Sequence, residues 1–199
     1  MKLGITGTIA AGKTTVSILL KQRGIPVFNS DQYAKMAYIK GSDTYHVIVR
    51  EFGNEILDEN QEIDLKKLAD LIFSDEDKRK QINAIVHPFV KEGILKFFSN
   101  HADLPIVAAE VPLLFEAGFE DLFDEIVVVT CDEKVAIDRM MEYRNYTYQE
   151  AYQRYHSQLD EKIQISKADR VLYNNLDLES LMHQINAMLK ELKGERHGD

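Results

Sequence analysis

Eight residues near the amino terminus, Gly7-Thr8-Ile9-Ala10-Ala11-Gly12-Lys13-Thr14, have the types and spacing to hold a polyphosphate. In the order G-x-x-x-x-G-K-[ST], the P-loop or Walker A pattern, successive backbone N–H groups curl around a β-phosphate. The helix that follows turns its positive end toward the same anion. Gly7 and Gly12 fall where a Cβ would crowd the turn or the phosphate. Lys13 is set to reach the β/γ-oxygens, and Thr14 to offer a hydroxyl to Mg²⁺. Two acids complete the candidate chemistry, each following an apolar run: Asp31 after residues 25–28 and Glu110 after residues 106–109. In an open parallel sheet ligands bind along the carboxyl ends of the strands, so an acid there is placed to work. Glu110 has the position of an acid that holds Mg²⁺ through water. Asp31 has a competing structural role, since Asn29, Ser30 or Asp31 would each cap a helix starting near Gln32.

These residues need a strand before the loop and a helix after it. Lys2-Leu3-Gly4-Ile5-Thr6 reads as a short buried strand, and Val16, Leu19 and Leu20 repeat at helical spacing until Gly24. Further strands are expected at 25–28, 106–110, 125–130 and 170–173, which with the first makes five. Alternation of strands and helices implies an α/β fold, a parallel sheet flanked by helices with right-handed crossovers. Between the second and third strands, residues 41–100 are helical in pattern and highly charged, with Ser42 and Ser74 as N-caps. Val47, Ile48 and Phe52, then Leu68, Leu71 and Ile72, form its apolar stripes. That length exceeds a single crossover and suggests a helical subdomain. Within it the pattern from Lys78 to Phe98 is expected to break at His87-Pro88. A lone histidine is commonly a hydrogen-bonded structural residue. Residues 135–167 carry Arg139, Arg144, Arg154 and Lys162 on helical segments, interrupted at Asn145-Tyr146-Thr147-Tyr148. In an acidic chain with a phosphate loop, such a segment reads as a lid that covers the nucleotide and excludes water. A last helix, 178–192, has Leu181, Ile185, Met188, Leu189 and Leu192 on one side, and 194–199 reads as a frayed tail.

Composition narrows the setting. With 24 Lys+Arg against 33 Asp+Glu the formal charge is −9, which argues against a nucleic-acid or anionic-membrane surface and requires any anionic ligand to meet a local basic cluster. Cys131 is the single cysteine, expected in the core; it excludes an internal disulfide and suits a reduced, cytoplasmic setting. The first residues run straight into the P-loop strand, leaving no room for a signal peptide, and no apolar run approaches the roughly 18 residues of a membrane span. These features describe an ATP-dependent phosphotransferase or a nucleotide-driven switch. A regulatory GTPase would carry D-x-x-G and N-K-x-D; none of the ten glycines has Asp three residues before it, and N-K-x-D is absent. A kinase of a small metabolite is favoured.

Several segments together resemble dephospho-CoA kinases. They are Gly4-Ile5-Thr6-Gly7 with the P-loop, Asp31 after the second strand, Ile85-Val86-His87-Pro88-Phe89-Val90, Val111-Pro112-Leu113-Leu114-Phe115-Glu116, Arg154-x-x-x-Gln158 and Val171-Leu172-Tyr173-Asn174-Asn175. The resemblance runs from near the amino terminus to the final strand. The P-loop is shared by many families, whereas the His-Pro and Pro-Leu-Leu-Phe-Glu segments are far more specific. It implies transfer of the ATP γ-phosphoryl to the ribose 3′-hydroxyl of dephospho-CoA, the last step of coenzyme A synthesis. The chain departs from the family's usual pattern in places. Ala10 and Ala11 replace Gly and Ser of Gly-Gly-Ile-Gly-Ser-Gly-Lys-Ser, Asn29-Ser30-Asp31 stands for Asp-Ala-Asp, Glu110 is one methylene longer than the usual acid, and Leu65 stands where arginine is common.

On this resemblance the fold is a P-loop kinase with core residues 1–40, 104–135 and 168–199, a substrate-binding helical insertion at about 41–103 and a lid at about 136–167. Lys13 and Asp31 are the expected catalytic residues. Ala10, Ala11, Gly12, Lys13, Thr14, Thr15, Arg139, Arg144 and Asn174 would bind ATP, with Asn174 toward adenine. Thr6, Asp31, His87, Pro112, Leu113, Leu114 and Phe115 would meet the acceptor, and Thr14 with Glu110 through water would hold Mg²⁺. The expected partners are ATP, Mg²⁺ and dephospho-CoA, with a monomer favoured over an obligate oligomer. Two alternatives stay open: a paralogue that senses ATP or a CoA-like ligand without efficient transfer, and a kinase of a nucleoside monophosphate or another small hydroxyl compound.

Overall fold

The computed structural model describes residues 1–73 and 75–194, with Phe73 by its backbone alone. Its elements in chain order are β1 (Lys2–Gly7), α1 (Lys13–Gln22), β2 (Val27–Asn29), α2 (Ser30–Ala34), α3 (Asp43–Phe52), α4 (Leu65–Phe73) and α5 (Glu76–Asn100). There follow β3 (Val107–Glu110), β4 (Glu125–Thr130), α6 (Glu133–Arg144), α7 (Tyr148–His156), α8 (Glu161–Ser166), β5 (Arg170–Tyr173) and α9 (Leu178–Gly194). The expected cap Ser74 and tail residues 195–199 lie outside the described residues, and Gly194 closes α9 rather than opening a tail. The chain divides into two compact units, one of Met1–Phe28 with the chain from His101 onward, the other Asn29–Asn100.

In the first unit the strands form one parallel sheet in the order β2-β3-β1-β4-β5. β1 is central, with Leu3 beside Ala108 of β3 on one side and Glu125 of β4 on the other. The winding therefore reverses at β1, and the crevice beyond its carboxyl end is the position where such sheets bind ligands. β4 carries the continuous run Ile126-Val127-Val128-Val129 because both of its faces are covered. α1 contributes Val16, Leu19 and Leu20 to that cover, and α9 contributes the five apolar residues read from its periodicity. β2 starts at Val27, later than its apolar pattern suggests, because Pro26 has no N–H to give; its carbonyl accepts Ala108 N at 2.9 Å. Cys131 is a buried free thiol in the same core, and burial pushes its pKa up, so it behaves as a small apolar residue.

The arginine-bearing segment of this unit is three helices around a small cluster of its own, Ile137, Met140 and Ala151, against which Ile9, Ala10, Tyr146 and Tyr155 pack. α6 ends where Asn145 turns left-handed at φ 54°, and α7 restarts on a capping box between Thr147 and Glu150. These are the residues read as interruptions. Glu161 fastens α8 to β4 by accepting Thr130 Oγ1 at 2.6 Å, and it also accepts the Tyr155 hydroxyl at 3.2 Å. Burial and then Glu161 hold that phenol above its ordinary range.

The second unit is helical, with a single described bridge between Leu57 and Ile63. Ser42 caps α3 through Tyr45 N, as its position before the apolar stripe suggested. Asp64 caps α4 by accepting the N–H groups of Lys66 and Lys67. α5 runs unbroken through Pro88, against the expectation of an interruption. A proline inside a helix costs about 3 kcal/mol. Here Ile82, Val86, Val90, Ile94 and Phe98 form a buried stripe on both sides of it, and each fully buried side chain returns about 1.5–3 kcal/mol.

Candidate active site

β1 delivers the chain into the phosphate loop in a conformation that its residue types dictate. Gly7 has φ +139°, and a Cβ there would lie 1.9 Å from the Val129 carbonyl oxygen, so β4 itself excludes any side chain. Gly12 has φ +98°, with a Cβ position 2.3 Å from Asn174 Nδ2. Between them Ala10 is also left-handed, at φ 59°. A non-glycine residue there carries about 1–2 kcal/mol of strain, which marks the loop as shaped for something other than stability. Lys13 Nζ donates to the carbonyls of Gly7 and Thr8 at 2.9 and 2.8 Å, which sets its ammonium over the loop. α1 has no acid in its first turn, so its positive end is left for an external anion.

Thr14 Oγ1 donates to Glu110 Oε1 at 2.9 Å, and Glu110 is only 4 % exposed. A hydroxyl and a carboxylate meeting at the mouth of the loop are the hard oxygen donors that Mg²⁺ prefers. Beside them a cavity of about 410 Å³ is lined by Ala10, Gly12, Lys13, Thr14, Thr15, Arg139, Tyr143, Arg144, Asn174, Leu176, Leu178 and Leu181. Arg139 donates to the Ala10 carbonyl at 3.3 Å and to the Asn174 carbonyl at 2.9 Å. Asn174 in turn donates Nδ2 to the Ala11 carbonyl at 2.8 Å. The cavity thus joins loop amides and three cations to apolar walls from Tyr143, Leu176 and Leu178, a combination that suits a triphosphate carrying a flat base.

Comparison with known proteins agrees with this geometry. The family model of dephospho-CoA kinase matches residues 1–180. The chain belongs to the dephospho-CoA kinase family. Its activity is the ATP-dependent phosphorylation of dephospho-CoA in coenzyme A biosynthesis. It is similar to the dephospho-CoA kinases of Oceanobacillus iheyensis, 39% identical over 191 residues covering 95% of this chain and 96% of that one, and of Geobacillus kaustophilus, 37% identical over 193 residues covering 96% of each. A crystal structure from Thermus thermophilus superposes with TM-score 0.84 at 32% identity, covering 96% of this chain and 97% of that one. The dephospho-CoA kinase of Campylobacter jejuni, at TM-score 0.73 and 23% identity with 98% and 100% covered, and a shikimate kinase of Bacteroides thetaiotaomicron, at 0.54 and 12% with 97% and 98% covered, share the fold. Membership favours the acceptor kinase over the sensing paralogue and the nucleoside monophosphate kinase.

In this family member the residues expected to meet the acceptor divide by exposure. Asp31 is exposed in the first turn of α2 and is not its cap; that role falls to Asn29, whose Oδ1 accepts Gln32 N at 2.8 Å. Thr6 is buried and gives its hydroxyl to the Pro112 carbonyl at 3.2 Å. Leu114 and Phe115 are core residues, whereas Leu113 is 47% exposed. Thr6, Leu114 and Phe115 therefore hold the turn that presents Pro112 and Leu113. His87 lies half-buried on α5, and burial lowers its pKa from the ordinary imidazole value. The sign follows: the unfolded chain binds this proton more readily, so His87 contributes stability above about pH 6.5 that is lost as pH falls through its depressed folded value. An NMR titration of the His87 ring should show a midpoint below about 6.5, and a midpoint above it would contradict this placement.

Gln158, at the end of the Arg-x-x-x-Gln segment, is the contact that residue-by-residue reading did not supply. Its Oε1 accepts the N–H of Ile9 at 2.8 Å, tying the segment between α7 and α8 to the phosphate loop. Arg154, four residues earlier, rests 4.5 Å over the Tyr146 ring. Leaving a partly buried N–H unpaired costs roughly 1–2 kcal/mol. Gln158→Ala is accordingly expected to weaken ATP binding about tenfold, measured by calorimetry; an unchanged affinity would show that the loop keeps its shape without this bond.

Proposed function

We propose that the chain transfers the ATP γ-phosphoryl to the ribose 3′-hydroxyl of dephospho-CoA, giving coenzyme A and ADP, with Mg²⁺ as the metal. The observation that carries this reading is the meeting of Lys13, Thr14 and the buried Glu110 at one loop, in a chain whose family match spans residues 1–180. Phosphoryl transfer asks for alignment and charge neutralisation rather than covalent help. Lys13 and the amides of Ala10 to Thr15 hold the β- and γ-phosphates. Mg²⁺, when bound, would neutralise charge on those oxygens, held by Thr14 and, through water, by Glu110. Arg139 and Arg144 cover the transferring group from the lid, residues 136–167. Tyr143, Leu176 and Leu178 pack the base, while Asn174, its amide engaged by Ala11, keeps the loop in shape.

The unit Asn29–Asn100 takes the acceptor. Asp31 orients the hydroxyl and receives its proton, and His87, held neutral, hydrogen-bonds the acceptor without adding charge. The charge of −9 disfavours nucleic acid, and the single cysteine suits a reduced, cytoplasmic setting. Among the described residues no helix is long and apolar enough to cross a membrane. The test is to incubate the chain with Mg-ATP and dephospho-CoA, nucleoside monophosphates or no acceptor, and to identify products by mass and fragmentation. A product with dephospho-CoA alone, phosphorylated at the 3′-position, is expected. Phosphorylation of another acceptor, or tight ATP binding without product, would overturn the assignment.

A further inference from the structure

We propose that Gly93 is a positioning residue for the acceptor, acting through the ring of Tyr33 on Asp31; the proposal rests on the reading of Asp31 as the group that takes the acceptor's proton. Gly93 lies inside α5, where glycine costs about 1 kcal/mol relative to alanine. Its φ is outside the left-handed range, so backbone freedom does not account for it. Space does. A Cβ at Gly93 would lie 2.3 Å from Tyr33 Cε1, 2.6 Å from Cζ and 2.8 Å from Cδ1, all atoms of a rigid ring. The glycine is a notch in α5 that the Tyr33 ring fills. Phe89, one turn earlier, stacks on the same ring with centroids 4.9 Å apart and planes inclined by 23°.

The consequence comes from the length of α2. Five residues are too few to be stable as an isolated helix, so α2 stands where its contacts put it. Its Tyr33 is seated on α5, and Asp31 is two residues before Tyr33. The stacked pair and the notch therefore set where α2, and with it the backbone that carries Asp31, lies on α5. In-line transfer is sensitive to such placement, since a displacement of about 1 Å can cost ~10²-fold in rate.

The test is a double-mutant cycle in the full chain with Gly93→Ala, Tyr33→Leu and both together, following phosphorylation of dephospho-CoA. Gly93→Ala is expected to lower kcat by about 10- to 100-fold while KM for ATP stays within a factor of about two. Tyr33→Leu is expected to lower kcat as well, because the stack is lost. In the Tyr33→Leu background Gly93→Ala should do no further harm, since the flexible leucine yields to the new methyl. Wild-type kcat in Gly93→Ala, or the same loss in both backgrounds, would overturn the proposal. If Gly93→Ala does not fold, Tyr33→Leu alone decides, and wild-type turnover there overturns it. A wild-type chain that leaves dephospho-CoA unphosphorylated would instead overturn the parent reading, before any variant is made.

Discussion

Lys13→Ala is expected to lower kcat/KM for ATP by about 10³-fold or more and to weaken ATP binding in parallel. The loop places the ammonium by two short hydrogen bonds, 2.9 Å to the Gly7 carbonyl and 2.8 Å to the Thr8 carbonyl. Its position is thus fixed before a nucleotide arrives, and preorganised charge is the form of stabilisation that costs nothing at the moment of reaction. Loss of a single neutral donor at such sites costs about 10²–10³ in rate, and a full positive charge against a triphosphate exceeds that. Binding and turnover fall together because the same charge meets the γ-phosphate before and during transfer. Lys13→Arg is not a gentle control, since a planar fork cannot take the place of a compact ammonium between two carbonyls. Calorimetry with ATP and steady-state kinetics check both halves. Unchanged values would remove the phosphate loop from the mechanism, because no other feature of the site is so completely committed to a polyphosphate.

What could be read from the sequence follows from where each feature gets its energy. The loop was legible because its conformation is first a backbone property: φ +139° at Gly7 and +98° at Gly12 already call for glycine, before the neighbours that a Cβ would meet are known. β4, β5 and α9 were legible because burial on both faces, or on one, writes itself as a run or a stripe. The continuity of α5 was not. Pro88 gives a strong local signal to stop, and the stripe from Ile82 to Phe98 that overrides it is a tertiary fact. Contacts across the chain were equally hidden. Gln158 grips Ile9 over a separation of 149 residues, and Asn174 spends its amide on Ala11 over 163. Spacing rules do not reach that far, and a resemblance marks such residues without saying what they touch. The Gly93 notch was silent for another reason: a glycine in a helix reads as a local weakness until the ring that needs its space is seen.

Asp31→Asn is expected to lower kcat by about 10² to 10⁴ while ATP affinity stays near that of the wild type. The separation follows from where the residue sits. Asp31 belongs to the unit Asn29–Asn100, whereas every residue lining the nucleotide cavity belongs to the other unit. The substitution keeps volume and removes only the charge and the basicity, and Asn29 retains the cap of α2, so the helix has no reason to unwind. A carboxylate can accept the proton that the 3′-hydroxyl loses as it bonds to phosphorus; an amide cannot. If Asp31 merely held the hydroxyl in line, Asn would still orient it by hydrogen bonding and the loss would stay under about tenfold. If it is the base, the loss is large. Steady-state kcat of the variant and the wild type, measured at saturating ATP and acceptor, separates the two. Turnover near wild type would place the proton's acceptor elsewhere and leave Asp31 as a surface acid of a short helix.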